Sequence, residues 1–322
     1  MVTLSELKNL KIIIRADLDV PITAGQIDND YRLQTLLPTL NLLLQNHNQL
    51  LIIGHLGRPQ GVEPQFSLKP VHLWLQNALH QDILFVPSGF SPGEWWRGGN
   101  AVILLDNLRF DPREETLDRG FANDLATGAD YYVYDAFATY RPCTSLTLLP
   151  EVLPTVPGLQ FEKEIATLSA ILQNPTHPTL LLASGAKADK LAILRQIGSK
   201  FDQVIYGGKF APTTDLTPDG LDLNPEAINT ILKAISEAST IVLNGPLGYF
   251  EDQVHAQATR AVYSALKTSS AQTILGGGDT LASIPALGFG YSDFSFVSTG
   301  GGSMLEFLAS GTHPLLSVLH RS

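Results

Sequence analysis

The feature that most constrains this chain is a rhythm: short apolar or β-branched runs, each followed by a stretch with helical spacing. In the first half the runs are KIIIRADLDV, LLIIGHL, DILFV, AVILLDNL and YYVYDAF, with QTLLPTLNLLLQN, LKPVHLWLQNAL and FANDLATG between them. In the second half PTLLLASG, QVIYGG, STIVLNGP, QTILGGG and FSFVSTGGG alternate with KLAILRQIG, NPEAINTILKAISEA, ATRAVYSALKTS and MLEFLAS. Strands that alternate with helices of this length make βαβ units, and uninterrupted apolar strands belong to parallel sheets covered on both faces. The expected fold is α/β with two lobes, each an open, mostly parallel sheet flanked by helices in a Rossmann-like way. The proline-rich stretch LPEVLPTVPG parts the halves, and FEKEIATLSAILQ after it repeats Phe161, Ile165, Leu168 and Leu172 at helical spacing. A boundary near residue 158 follows, giving an N-terminal domain over 1–158 and a hinge helix with a C-terminal domain over 159–322.

Composition narrows the partners. With 21 basic against 31 acidic side chains the net charge is −10, which argues against nucleic acid, since duplex binding relies on basic residues that neutralise phosphates. The one cysteine, Cys143, leaves no disulfide and suits a reducing, cytoplasmic setting. No apolar stretch approaches the roughly 18 to 20 residues of a membrane span, and the start MVTLSELKNLK lacks a signal-peptide core. Small anionic ligands remain. Residues 1–150 hold eight Arg and three Lys, and the remainder three Arg and seven Lys, so the planar fork suited to carboxylate and phosphate is concentrated in one lobe.

In open parallel sheets ligands bind beyond the carboxyl ends of the strands. In the first half those tips carry Arg15, Asp17 and Asp19, then His55 and Arg58, then Arg109, then Asp135, with Arg32 and Arg141 on nearby loops or helix starts. A single surface arginine usually pairs with a neighbouring carboxylate; several arginines and a histidine at one end of one sheet repel each other unless an anion joins them. The second half ends its strands in glycine instead: SGAKADK, GGK, NGPLGYFE, GGGDT and TGGGS. Glycine lets backbone N–H groups approach a phosphate, and a following helix N-terminus adds a favourable dipole. Neither GxGxxG after the first strand nor GxxxxGK[ST] occurs, which counts against a dinucleotide dehydrogenase and a P-loop ATPase. Asp279 suits Mg²⁺ bridging phosphates, with capping of the following helix as its ordinary alternative. Lys187 and Lys190 are placed to neutralise charge on a transferring phosphoryl group. An anion held by arginines and a nucleotide held by glycine loops amount to phosphoryl transfer.

IIIRADLDVP, DNDYRLQTLLPTL, GHLGRPQG, LLDNLRFDPREE, YVYDAFAT, FEKEI, SGAKADK, TIVLNGPLGYFE, GGGDT and STGGGSMLEFL, taken in order, resemble the signature segments of the phosphoglycerate kinase family from about residue 10 to residue 311. The resemblance implies two lobes that close about a hinge, the acid substrate on the first and Mg-nucleotide on the second, with residues from about 306 packing back on the first. It implies reversible transfer of a phosphoryl group between ATP and 3-phosphoglycerate, with Mg²⁺, by a monomer. Matched by position, Asp17, Asp19, Arg32, His55, Arg58, Arg109 and Arg141 resemble the family's acid-binding set. Gly185, Lys187, Lys190, Gly207, Gly208, Asn244, Pro246, Gly248, Glu251, Gly276, Gly277, Gly278, Asp279 and Thr280 resemble its nucleotide-binding set, with Asp279 at the metal. Arg32, Lys187, Gly277 and Gly278 are the expected catalytic residues.

There are departures from the family pattern. Asp19 stands where the family usually has Asn, YRPCTS around Arg141 is a residue short and lacks two histidines, SGAKADK is a residue short between its lysines, and Lys209 replaces a glycine. The largest is a deletion: only TPDG separates GGKFAPTTDL from LDLNPEA, where the family carries roughly a further strand-helix-strand unit. These changes leave two other readings to test, a weakened or inactive member that binds an anion or a protein, and a kinase for another carboxylate.

Overall fold

A computed structural model describes residues 2–185 and 189–319. The chain divides into two compact units, one running to Glu164 and resuming at His313, the other Ile165–Thr312.

The first unit is built on β1 (Lys11–Ala16), the ribbon β2 (Ile22–Thr23) and β3 (Gln26–Ile27), α1 (Tyr31–Gln45), β4 (Gln49–Ile53), α2 (Lys69–Leu79), β5 (Leu84–Val86), β6 (Val102–Leu105), α3 (Arg119–Ala126), β7 (Tyr131–Asp135), α4 (Leu149–Val152) and β8 (Thr155–Pro157). Its sheet has the order β5-β6-β4-β1-β7-β8 and every pairing is parallel. The central strands are the continuous apolar runs. Ile12, Ile13 and Ile14 of β1 and Leu50 to Ile53 of β4 are fully buried, and each such side chain contributes about 1.5–3 kcal/mol. The sequence reading treats LPEVLPTVPG as a link, yet Thr155–Pro157 adds a sixth strand beside β7. An edge position allows it, because one side of an edge strand makes no ladder bonds and the N–H that Pro157 lacks is not needed there.

Helix α5 (Leu159–Gln173) begins in the first unit, where Asp135 accepts from Thr39 Oγ1 at 2.5 Å and from the Phe161 amide at 2.7 Å. Asp135, a strand-tip carboxylate in the sequence, therefore fastens the start of a helix; burial raises it to about 7.

The second unit follows the same plan with β9 (Thr179–Ala183), α6 (Asp189–Gly198), β10 (Gln203–Tyr206), α7 (Pro225–Glu237), β11 (Thr240–Asn244), α8 (Gln257–Thr268), β12 (Gln272–Gly276), α9 (Gly278–Ala286), β13 (Phe296–Val297) and α10 (Gly301–Ser310). The sheet order is β10-β9-β11-β12-β13, again parallel throughout. Asn224 caps α7 by accepting the Ala227 amide at 2.9 Å, worth about 1 kcal/mol. The chain after β10 goes straight to α7 through a turn at Thr217–Gly220, closed by a Leu216–Leu223 bridge. No strand or helix of its own stands in that connection beyond single 3₁₀ turns. Finally α11 (Pro314–Leu319) returns to the first unit, led by a fully buried His313 among the rings of Tyr134, Phe137, Tyr140 and Phe161.

Candidate active site

In the first unit the carboxyl ends of β1 and β4 gather the predicted charges around Gly57. Arg15, the one charge in the buried part of β1, is 1% exposed. It donates from Nη2 to His55 Nδ1 at 2.7 Å, from Nε to Ser145 Oγ at 3.0 Å and from Nη1 to the Ala16 carbonyl at 2.7 Å. A guanidinium only donates, so Nδ1 must be the acceptor and the ring proton sits on Nε2. Burial, then the charges of Arg15, Arg109, Arg32 and Arg58, hold His55 well below the usual histidine range, so it is a neutral donor whose orientation Arg15 sets. The sequence places Arg15 at a strand tip and gives it no role. Its signal is a charge that directly follows three consecutive isoleucines in a buried strand.

Behind Arg15 lies a buried carboxylate. Glu114 accepts from Ser145 Oγ at 2.5 Å and from the Ser145 amide at 3.0 Å, so Ser145 bridges the guanidinium and the carboxylate, and the buried charges are compensated.

Arg32 lies at the start of α1 with its Nε 3.7 Å from Asp17 and its Nη1 3.9 Å from the Asp19 carboxylate; it also donates to the Asp19 carbonyl. Asp17 is 4% exposed, and burial raises its carboxyl above the usual range against the pull of Arg32. Asp19, the departure from the family's Asn, accepts the Gly57 amide at 2.9 Å and lies 3.9 Å from His55 Nε2. Its charge is thus paired within the basic set. Arg109 donates to the Gly57 carbonyl at 2.6 Å and pairs with Glu115 at 3.3 Å. Gly57 ties both ends of this cluster through its backbone, which the residue types alone do not announce. Arg58 is exposed and adds to the positive field at His55. Arg141 is exposed, outside this network, and forms no ion pair among the described residues.

In the second unit the glycine tips surround a cleft of about 210 Å³ whose lining includes Gly185, Gly208, Lys209, Pro246, Gly248, Glu251 and Asp279. A smaller recess beside it joins Gly185, Lys190, Asn244, Gly277, Gly278 and Asp279. Gly277 caps α9 with φ +125°, a conformation that disfavours a side chain, and Gly300 caps α10. A Cβ on Gly301 would overlap the Gly277 backbone, so two helix N-termini with their unpaired amides meet there. Space beside Gly278 is open.

Some of the predicted residues support this cradle from inside. Thr280 is buried; its hydroxyl donates to the Gly276 carbonyl at 2.9 Å and accepts the Gly245 amide at 3.0 Å, so it braces the loop rather than facing the recess. Asn244 is buried and donates to the same carbonyl at 3.0 Å. The Pro246 carbonyl accepts from Ser184 Oγ at 2.5 Å. Gly207 packs under Leu247, and Gly276 under Met304. Asp279 is exposed and forms no capping hydrogen bond, so its ordinary alternative does not apply and its carboxylate opens on the recess. Lys187 lies outside the described residues.

One unit thus holds a cluster of arginine and histidine donors, and the other an amide-lined recess. The sequence profile described as phosphoglycerate kinase matches residues 2–216 and 212–311. The chain belongs to the phosphoglycerate kinase family. Family membership makes it a kinase, a phosphotransferase with a nucleotide as one substrate. Phosphoglycerate kinases of Moorella thermoacetica and Herpetosiphon aurantiacus are 32% and 33% identical to it, each over 96% of both chains, and that of Salinispora tropica is 34% identical over 98% of this chain and 96% of its own. The phosphoglycerate kinase structure from Coxiella burnetii, 28% identical, superposes with a TM-score of 0.81 over 99% of both chains. That from Pyrococcus horikoshii, 24% identical, shares the fold with a TM-score of 0.86 over 99% of this chain and 98% of its own.

The Moorella alignment extends over 384 positions, while 96% of 322 residues is about 309, so about 75 positions of that family member face a gap here. The profile match breaks at 212–216, directly before the Thr217–Gly220 turn. The family's longer stretch is replaced there by a bypass loop that supplies Leu216, Gly220 and Leu221 to the cleft.

Proposed function

We propose that the chain catalyses reversible, Mg²⁺-dependent transfer of a phosphoryl group between ATP and 3-phosphoglycerate, with the acid held by the first unit and the nucleotide by the second. The arrangement that carries this reading is the Arg15–His55–Asp19–Arg32–Arg109 network around Gly57. It is a preorganised set of donors with its own carboxylates already paired, which is what a substrate with both a carboxylate and a phosphate requires.

In the forward direction a carboxylate oxygen of the acid attacks the γ-phosphorus, the bond to the β-bridging oxygen breaks, and ADP leaves with that electron pair. The nucleophile is already an anion, so no general base is needed and the protein contributes position and charge. Arg32, steadied by Asp17 and the Asp19 carbonyl, faces the transferred group. His55 offers its Nε2 proton, and Arg58 and Arg109 offer guanidinium donors, to the acid's anionic groups. On the nucleotide side the amides at Gly277 and Gly278 and the ammonium of Lys190 receive phosphate oxygens; Lys187 belongs to the same set by its sequence position.

A single exposed carboxylate, Asp279, beside unpaired amides suits Mg²⁺, which prefers one or two carboxylates plus phosphate oxygens to an all-protein cage. Among the described residues no three of His, Cys, Asp and Glu cluster as a cage. When bound, the ion would neutralise charge on the phosphates. The enzyme acts as a monomer in the cytoplasm on this reading.

A coupled assay of purified protein with ATP, Mg²⁺ and 3-phosphoglycerate tests the proposal. Saturable turnover that needs all three supports it, and no turnover above an Arg32→Ala, Lys187→Ala double variant sinks it. Turnover with other carboxylic acids in preference to 3-phosphoglycerate would keep the chemistry and replace the substrate.

A further inference from the structure

The bypass loop raises a mechanical question. A connection without helix or strand has to form one wall of the cleft, because Gly220, Leu221 and Asp222 line it directly. Three links attach the loop to the segment opposite. The Leu221 carbonyl accepts the Tyr249 amide at 2.8 Å. Asp222, buried, accepts the Gln257 and Ala258 amides at 2.8 and 3.2 Å, at the start of α8. The third link is at the loop's tip, where Asp219 Oδ2 lies 2.8 Å from His255 Nε2.

His255 has a second carboxylate on its other nitrogen, with Asp252 Oδ2 2.7 Å from Nδ1. A neutral imidazole has one N–H and would turn a lone pair toward one of these oxygens, so a ring that contacts carboxylates through both nitrogens is an imidazolium. Both partners are fixed in turn. Asp219 accepts from Thr217 Oγ1 at 2.6 Å and the Leu221 amide at 3.2 Å, and Asp252 accepts the Val254 amide at 3.0 Å. The groups that face the ring are Asp219 and Asp222 from the loop and Asp252 from the turn that precedes α8, all acidic. Asp219 and then Asp252, through their hydrogen bonds, raise His255 above the usual histidine range. The His255 carbonyl also backs Gly248, where a side chain would have no room, so the residue touches both walls of the cleft.

We propose that His255 is a positioning residue for the nucleotide: as an imidazolium clamped between Asp219 and Asp252 it holds the bypass loop closed against the cleft, so nucleotide affinity weakens when it loses its proton. The proposal rests on the reading of this cleft as the nucleotide site. A loop that is closed for only part of the time lowers apparent affinity by that fraction.

ATP binding measured by calorimetry from pH 6 to pH 9, for the full chain and for His255→Gln and Asp219→Asn, tests it. The wild type is expected to weaken about fivefold across the range. Both variants should show the weakened value already at pH 6 and a flatter profile; the ionisation of ATP itself is common to all three proteins. Asp219 is half exposed, so its variant probes the clamp without disturbing the core. Equal affinities in all three proteins at every pH would overturn the proposal. If the wild type binds no ATP at any pH, the nucleotide reading fails instead, and hydrogen exchange decides the clamp. Faster exchange of the 216–223 amides in Asp219→Asn than in wild type at pH 6, with the difference gone at pH 9, supports the clamp; equal exchange at pH 6 overturns it.

Discussion

On the proposed reading the two units meet the same problem, holding a multiply charged anion, with opposite means. The first uses long side chains whose positions are set by buried partners: Arg15 aims His55, and Asp17 steadies Arg32. The second uses the backbone, with side chains removed from the strand ends so that helix amides are uncovered at Gly277 and Gly278. One site is damaged by taking atoms away and the other by adding them. The contrast teaches where each kind of recognition is fragile, and it can be tested from both sides.

The largest effect is expected at Arg32. Arg32→Ala should lower kcat by about 10³-fold, in line with the loss of a charge that acts on a transferring phosphoryl group, while ATP binding by calorimetry stays within about twofold. A matching loss of ATP affinity would break the contrast. The converse change is Gly278→Ala. Nothing lies near a Cβ there, so thermal stability should hold within about 0.5 kcal/mol, yet the methyl enters the space a phosphate needs and should raise the ATP KM by about tenfold or more. An unchanged KM would remove Gly278 from the amide cradle.

Asp19→Asn sharpens the comparison within the charged site. The amide oxygen can still accept from Gly57, while a negative charge leaves the acid's neighbourhood, so the KM for 3-phosphoglycerate should fall about threefold with kcat little altered. Steady-state kinetics at fixed ATP reads this directly, and a raised KM would mean that the carboxylate is there to orient Arg32 rather than being tolerated.

The smallest effect on function, though visible in stability, belongs to His313. Burial lowers it to about 4. A histidine neutral in the folded chain and protonated when unfolded gives stability that is complete above about pH 6.5 and is lost as pH falls toward 4, by up to about 3 kcal/mol. Urea unfolding at pH 7 and pH 4.5 should show that acid-side loss in the wild type and a smaller one in His313→Leu; parallel losses would exclude the ring as its source.

The sequence made the sheets readable because their central strands are apolar on both faces and leave an unbroken signal. It hid what depended on pairing. Pro154 and Pro157 disguised β8, whose edge position makes them tolerable, and the two-residue strands β2 and β3 are too short for periodicity to register. The charged residues at the strand tips could be picked by type, but type does not separate Asp135, which fastens a helix, from Asp17, which faces Arg32. Nor could it show that Arg15 and Gly57 organise the cluster, or that Thr280 braces the loop from within. His255 and His313 went unnoticed because each acts through partners far along the chain: the first through Asp219, the second through the rings near β7 and α5.

The return of residues 313–319 to the first unit has a consequence for biosynthesis. On the ribosome the chain emerges in order, so the slot framed by Tyr134, Phe137, Tyr140 and Phe161 stays vacant until all of Ile165–Thr312 has been made. Although its sheet is made first, the first unit is therefore the one whose core closes last, against the usual N-terminal-first order.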